Sequence, residues 1–550
     1  MSFGDHLGSS RRNFLKGSAG VALATNMVIR GGVANAATAA PVADTTYGKV
    51  RGAVVDGVTQ FLGIRYGADT GGANRFLPPK PPAAWSGVRD ALAKGSPCPQ
   101  VRTFWGPFFA DPVSASEDCL VLNVWSPAGL NDRLPVMVYF HGGAFESESG
   151  GVPGYDGYEL AKQGKVVVVT LNHRLNVFGY GYVAEGADDR FATSGNVGQL
   201  DLLAAMHWVR DNIANFGGDT SNITIFGESG GGGKVSMFLA MPAARGLFHK
   251  AIVQSGSLMG ARPAVDATAT MARIYDILGV KRGDVAALQR VPTTAMVAAL
   301  EELNKDRGAG LRFGPVADGH VFGKEPWASA PPLAAEVPMM IGTTLHETAL
   351  FADVTTPLVD EEALIAAIND NSMFMRVPAD EARKLIDLYR REMPDLSRVQ
   401  LMVRITTDLG FWGLSVRQLD RKVAAAQAPV YAYQFDFEIP YNGGSWAVHG
   451  GDLPMMFGHP DYPQAWGESD SQQLRATGDP EGERYRLSKA AVKAWAAFAY
   501  TGNPSTPEHS WPAYGSDRRE TMIFDREIRV VSDPRSAVRP AVIAFIEGHI

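Results

Sequence analysis

The sequence predicts an α/β protein whose mostly parallel central sheet is flanked by helices, and three observations carry that expectation. Short β-branched runs alternate with helical patterns, several runs are apolar without alternation, and a glycine-bounded serine stands where one run passes into a helix. Strands covered on both faces read as continuous apolar runs, because parallel neighbours need crossover helices on both sides of the sheet.

In chain order, Val58 to Ile64, Leu120 to Trp125, Pro135 to Phe140, Lys165 to Leu171, Asn222 to Phe226, Ala251 to Gln254, Val337 to Ile341 and Pro429 to Phe435 read as strands. Gln199 to Phe216 sets Leu202, Met206, Val209 and Ile213 on one helical stripe. Further helices are expected at Asp156 to Gln163, Asp360 to Asn369, Ala379 to Arg391, Val399 to Ala426 and Arg484 to Tyr500. Two mostly helical stretches, Met271 to Arg312 and Asp353 to Arg421, fall between sheet strands. They read as helical cap insertions beside the sheet rather than separate domains.

The chain has 550 residues, 45% hydrophobic and 20% charged, enough apolar material for a large core. No Ser/Gly linker, charge block or repeat divides residues 37 to 550, so one domain is expected there. The first 36 residues differ. Ser10-Arg11-Arg12-Asn13-Phe14-Leu15-Lys16 precedes the apolar run Gly17 to Ile29, and Ala34-Asn35-Ala36 follows with the form of a signal-peptidase site. This order reads as a twin-arginine export signal and points to a periplasmic or secreted protein. The run is too short to span a bilayer, so no stable membrane insertion is expected. The segment carries Arg11, Arg12, Lys16 and Arg30 against Asp5, so its removal takes the net charge from −7 to −10. An acidic chain of this kind argues against a nucleic-acid partner.

The stretch Phe226 to Ser236, FGESGGGGKVS, admits two chemistries. A phosphate loop needs G-x-x-x-x-G-K-[ST], but Glu228 stands six before Lys234 and Val235 follows it, so the pattern fails at two fixed positions. Gly227-Glu228-Ser229-Gly230-Gly231 instead fits the G-x-S-x-G nucleophile elbow, between the strand Asn222 to Phe226 and a helix over Gly232 to Met241. A serine hydroxyl needs a base to take its proton and donors to receive the oxyanion. His141-Gly142-Gly143-Ala144-Phe145 follows a strand and supplies small residues for such donors, Glu347 follows Val337 to Ile341, and His449 lies in a glycine-flanked loop.

Together these segments resemble the type-B carboxylesterase family, the esterase and cholinesterase branch of the α/β-hydrolases. The resemblance also rests on Val58 to Tyr66, Arg75-Phe76, Trp85 to Asp90, Glu117 to Val124, Gly195-Asn196, Asp201, Trp208-Val209, Phe313 to Gly319 and Gly342 to Thr344, in the family's order. It implies a serine hydrolase that cleaves carboxylic esters through an acyl-enzyme. Ser229 is the implied nucleophile, His449 the base and then acid, and Glu347 the carboxylate that orients the imidazole. The backbone N–H groups of Gly143, Ala144 and Gly230 are the implied oxyanion donors, with Gly142 and Gly143 as the alternative register of the first loop. The resemblance further implies a Cys98 to Cys119 disulfide, which the spacing also allows in an oxidising compartment, and ion pairs of Arg75 with Glu117 and Arg174 with Asp201.

His346, His459 and His141 are rivals to His449, and Asp353 is a fallback for Glu347. Two departures from the family stand out: Gly230 replaces the usual alanine after the serine, and Glu146 and Glu148 follow the oxyanion loop, either solvated or facing a cationic substrate. Gly232 and Gly233 weaken the helix without an assigned task. Phe104, Trp105, Phe108 and Phe109 either wall the pocket or pack. The expected partner is a small-molecule ester, no metal or organic cofactor is called for, and the rival function is a non-catalytic adhesion protein on the same fold.

Overall fold

A computed structural model describes residues 40–101, 113–127, 129–184, 188–305, 312–461 and 476–549. The export signal and the four aromatic residues between 104 and 109 lie outside the described residues. Eleven strands form the main sheet: β1 Ala53–Val55, β2 Val58–Arg65, β3 Val121–Ser126, β4 Leu134–Phe140, β5 Val167–Leu171, β6 Gly218–Glu228, β7 Lys250–Gln254, β8 Met339–Thr344, β9 Val430–Phe435, β10 Glu520–Phe524 and β11 Arg529–Ser532. Their order across the sheet is β11-β10-β9-β8-β7-β6-β4-β5-β3-β2-β1. From β10 to β5 every pairing is parallel, and the antiparallel pairs lie at the two sides.

Period-two alternation explains why the central strands are apolar throughout. In β4, Val136, Val138 and Phe140 enter one core cluster while Met137 and Tyr139 enter another. The first cluster is closed by Leu202, Met206 and Val209 of α2 (Val197–Asn212) and by Val235, Met237 and Phe238 of α3 (Gly230–Phe238). The second is closed by Leu160 of α1 (Tyr158–Gly164) and by Leu487, Trp495 and Phe498 of a helix over Glu483–Thr501.

Of the two expected caps, the second has a core of its own. Helices α6 (Glu361–Asn371), α7 (Ala379–Glu392) and α8 (Arg398–Thr407) share a separate cluster that includes Leu364, Ile386 and Val403. The first does not: Met271 and Ile274 of α4 (Ala264–Leu278) and Met296 and Leu300 of α5 (Thr293–Lys305) join the sheet's own cluster. The single helix expected over Val399 to Ala426 is interrupted by a π turn, Asp408–Trp412, before α9 (Gly413–Ala425). Among the described residues no helix is long and apolar enough to cross a membrane.

Both expected ion pairs form. Arg75 Nε donates to Glu117 at 2.6 Å, and Arg174 makes a bidentate pair with Asp201 at 2.8 and 2.7 Å, with all four residues buried. Cys98 and Cys119, the pair expected to form a disulfide, are both buried and stand as free thiols in this structure. The neighbouring Cys98, ahead of burial, raises the Cys119 thiol well above its ordinary range.

Candidate active site

Strand β6 ends at Glu228 and α3 begins at Gly230, leaving Ser229 alone in the turn at φ 56°, ψ −124°. A side chain there costs roughly 1–3 kcal/mol of backbone strain. Its N–H donates to Gln254 O at 2.9 Å, while its hydroxyl bonds to no described residue. The helix starts two residues earlier than the sequence suggests. A Cβ on Gly231 would lie 2.0 Å from Phe140 O, and one on Gly232 would lie 2.8 Å from Gln254 O. Gly232 therefore lets the end of β7 approach the helix. Gly233 is different, since its Cβ would meet nothing closer than Leu258 Cβ at 3.4 Å.

The loop His141 to Phe145 leaves β4 and folds over this turn. Gly143 and Ala144 both take positive φ, 72° and 54°. The Gly143 carbonyl accepts from Glu146 N–H at 3.1 Å and Ser147 N–H at 3.0 Å. Because a trans peptide points its C=O and N–H in opposite directions, that fixes the Ala144 N–H away from those donors. The N–H groups of Gly143, Ala144 and Gly230 donate to no described residue. Gly230 is the residue that fits after the serine, because a Cβ there would lie 2.1 Å from Ala144 O.

Neither acidic residue after the loop is simply solvated. Glu146 Oε1 accepts from Arg312 N–H at 3.1 Å. Glu148 is buried, accepts from the Tyr155 hydroxyl, and is pushed up to about 7 by burial.

Glu347 and His449 meet through backbone register. His346 and Val448 form a parallel bridge, so the next residue of each segment, Glu347 and His449, stand side by side. His449 Nδ1 lies 2.5 Å from Glu347 Oε2. Glu347 is fully buried, and its other oxygen accepts from Ser255 Oγ at 2.6 Å and Thr344 N–H at 2.8 Å. Burial alone would lower the imidazole, but the charges of Glu228 and Glu347 overcome it and hold His449 up at about 9. Its Nε2 lies 3.3 Å from Glu228 Oε1 without hydrogen-bond geometry. Burial in turn raises Glu228 well above the usual carboxylate range. The rings of Phe351 and Phe411 pack at 5.1 and 4.9 Å from the imidazole.

The alternatives are placed elsewhere. Asp353 is exposed and held down at about 2, first by the hydroxyls of Thr356 and Thr355. His346 Nδ1 accepts from Ala447 N–H, and burial lowers it to about 3. His459 Nε2 donates to Asp156 O, and His141 is a buried ring stacked on His173. The structure thus brings Glu347 and His449 into contact and Ala144 onto Gly230; it does not close a hydrogen bond between Ser229 and His449.

Sequence reasoning missed three site neighbours. Glu228 was visible as the variable residue of the elbow, and Asp452, three residues after His449, accepts from Gln254 at 2.8 Å and Tyr433 at 2.7 Å. The third, Lys234, is buried beneath the oxyanion loop. No group of three His, Cys, Asp or Glu among the described residues is arranged to hold a metal ion.

A mostly parallel sheet with helices on both faces and a serine at a strained strand-to-helix turn defines the α/β-hydrolase fold. The Carboxylesterase family matches residues 39–540, and the chain belongs to that family. It is 39% identical to the para-nitrobenzyl esterase of Bacillus subtilis, over 90% of this chain and 97% of that protein. It is 32% identical to the fumonisin B1 esterase of Sphingopyxis macrogoltabida, over 90% of this chain and 89% of that protein. Among solved structures, a thermophilic para-nitrobenzyl esterase superposes with a TM-score of 0.77 at 36% identity, covering 91% of this chain and 99% of that one. The protein is a carboxylic ester hydrolase.

Proposed function

We propose that the protein hydrolyses a small-molecule carboxylic ester through an acyl-enzyme on Ser229, with His449 and Glu347 completing a Ser-His-Glu triad. The observation that carries this reading is the buried 2.5 Å contact of His449 Nδ1 with Glu347, which leaves Nε2 free to take a proton. Ser229 Oγ attacks the ester carbonyl carbon as its proton passes to Nε2. The negative oxygen is received by the N–H groups of Gly143, Ala144 and Gly230. Nε2 then returns the proton to the leaving alkoxide, and the acyl group remains on Ser229. Water gives a proton to Nε2 and attacks the acyl carbon, releasing the acid and restoring the hydroxyl. Glu347 holds the Nδ1–H tautomer throughout and stabilises the imidazolium.

A fluorophosphonate probe should label Ser229 in folded protein with loss of esterase activity. Full activity after treatment, or label on another residue, would sink the triad.

The order of charge, apolar run and Ala34-Asn35-Ala36 supports export of a single domain from residue 37 onward by the twin-arginine route, to the periplasm or medium. Replacing both Arg11 and Arg12 by lysine should retain the precursor in the cytoplasm. Unchanged export of that variant would rule the route out.

A further inference from the structure

Lys234 is a feature of the glycine-rich stretch that ester hydrolysis does not require, yet it is fully buried behind the site. It lies four residues after Gly230 on α3, and helical side chains lean back toward the N-terminus. That direction carries its Nζ under the loop that covers Gly230. There it donates to the carbonyls of His141 at 2.8 Å, Gly142 at 3.2 Å and Ala144 at 2.7 Å. The Phe145 ring covers it at 5.4 Å, and no carboxylate pairs with it directly among the described residues.

Three carbonyl acceptors use all three N–H bonds of an ammonium, whereas a neutral amine would turn its lone pair against one of them. Burial pushes the group down to about 7, and the Glu148 charge, on the other side of Gly142, works against that fall. Each carbonyl held by Lys234 belongs to a peptide whose N–H points the opposite way. The Gly142 carbonyl shares its peptide with the Gly143 N–H, and the His141 carbonyl shares its peptide with the Gly142 N–H. The Gly143 N–H, common to both donor registers considered for the loop, and the Gly142 N–H of the alternative register are therefore turned outward by the ammonium, while the Ala144 N–H is set by the Gly143 carbonyl and its two backbone donors. A positive charge on the carbonyl side also polarises each peptide, which strengthens the N–H as a donor. The absence of a side chain at Gly230 lets the loop be drawn down this far, since any Cβ there would meet Ala144.

We propose that Lys234 is a positioning residue of the oxyanion hole, holding the His141 and Gly142 carbonyls so that the N–H groups of Gly142 and Gly143 face the reacting oxygen. The proposal rests on the reading of this loop as the oxyanion hole. Three readouts separate it from a purely structural role: kcat per fluorophosphonate-labelled Ser229, KM, and affinity for a trifluoromethyl ketone that mimics the tetrahedral adduct. Lys234→Met should lower kcat per labelled site by roughly 30- to 100-fold, somewhat less than loss of an oxyanion donor itself. KM should change by no more than about threefold, and ketone affinity should fall in parallel with kcat, as expected for a group felt in the transition state. Lys234→Gln, which keeps two N–H donors without charge, should fall between Met and wild type.

A folded Lys234→Met enzyme with kcat per labelled site within about threefold of wild type overturns the proposal while leaving the triad standing, as does a kcat loss without loss of ketone affinity. Failure of both variants to fold assigns the lysine to stability and overturns it too. Absence of label at Ser229 in the wild type overturns this proposal and the triad together.

Discussion

The two halves of the site are held by opposite means. On the acid and base side, polar groups are matched: Glu347 accepts from His449, Ser255 and Thr344, and the register of the His346–Val448 bridge sets the pair. On the side of the proposed nucleophile, Ser229 sits in a strained turn, its hydroxyl bonds to no described residue, and glycines let the backbone of residues 140 to 144 close in. Under the proposed triad, hydrogen bonds position the groups that move a proton, whereas strain and close backbone approach expose the group that attacks. Damage to the first half should therefore cost stability and chemistry together, whereas removal of the strained serine side chain from the second should cost chemistry while stability stays level or rises.

The sharpest break of this contrast is Ser229→Gly. Turnover should drop by roughly 10⁴- to 10⁶-fold, while unfolding free energy rises by about 1 kcal/mol as the positive φ becomes unstrained. A fall in melting temperature would mean that the turn is not strained. Glu347→Gln should lower kcat by roughly 10²- to 10⁴-fold by mispairing the imidazole tautomer, and here the melting temperature should fall as well.

His449 sharpens the same comparison through pH. As the proposed base it acts when neutral, so kcat/KM should rise with pH and level off above about 9. Its folded value lies above the unfolded one, so the stability it contributes is fully present below about 6.5 and is lost as pH rises through about 9. Removing the Glu228 charge by Glu228→Gln should move the kinetic limb down by about one unit. A limb unmoved in that variant would show that Glu347 alone sets the imidazole.

The smallest effects separate the two unexplained glycines by thermal melts. Gly232→Ala should cost roughly 1–3 kcal/mol, because the Cβ collides with backbone at Gln254 and Gly256. Gly233→Ala should add about 0.5–1 kcal/mol of stability, since its Cβ would meet Leu258 and Phe145 at ordinary contact distance and alanine favours helix.

Much of this was legible in the sequence. The eight strands of the apolar runs are all found, because a strand covered on both faces leaves an unbroken apolar signature. Three strands lie outside that signature: Ala53–Val55 and Arg529–Ser532, at the two edges, have several residues facing solvent, and Glu520–Phe524 is buried throughout but opens on the polar Glu520 and Thr521. Glu347 and His449 were reachable through order and resemblance, but not their register, which depends on a one-residue bridge. Lys234 was weighed only as a phosphate-loop lysine, because its acceptors are backbone carbonyls about ninety residues away.

The π turn at Asp408–Trp412 makes the face of the site a matter of counting. A π turn is an α-helix carrying one extra residue, and a single residue rotates all that follows by roughly 100°. Removing one residue between Asp408 and Trp412 would leave an unbroken helix from Arg398 to Ala425, while turning Phe411 away from His449 or Asp408 away from Arg535 and Tyr389. In this helix a lineage can therefore reshape the surroundings of the histidine by length alone, with every remaining side chain unchanged.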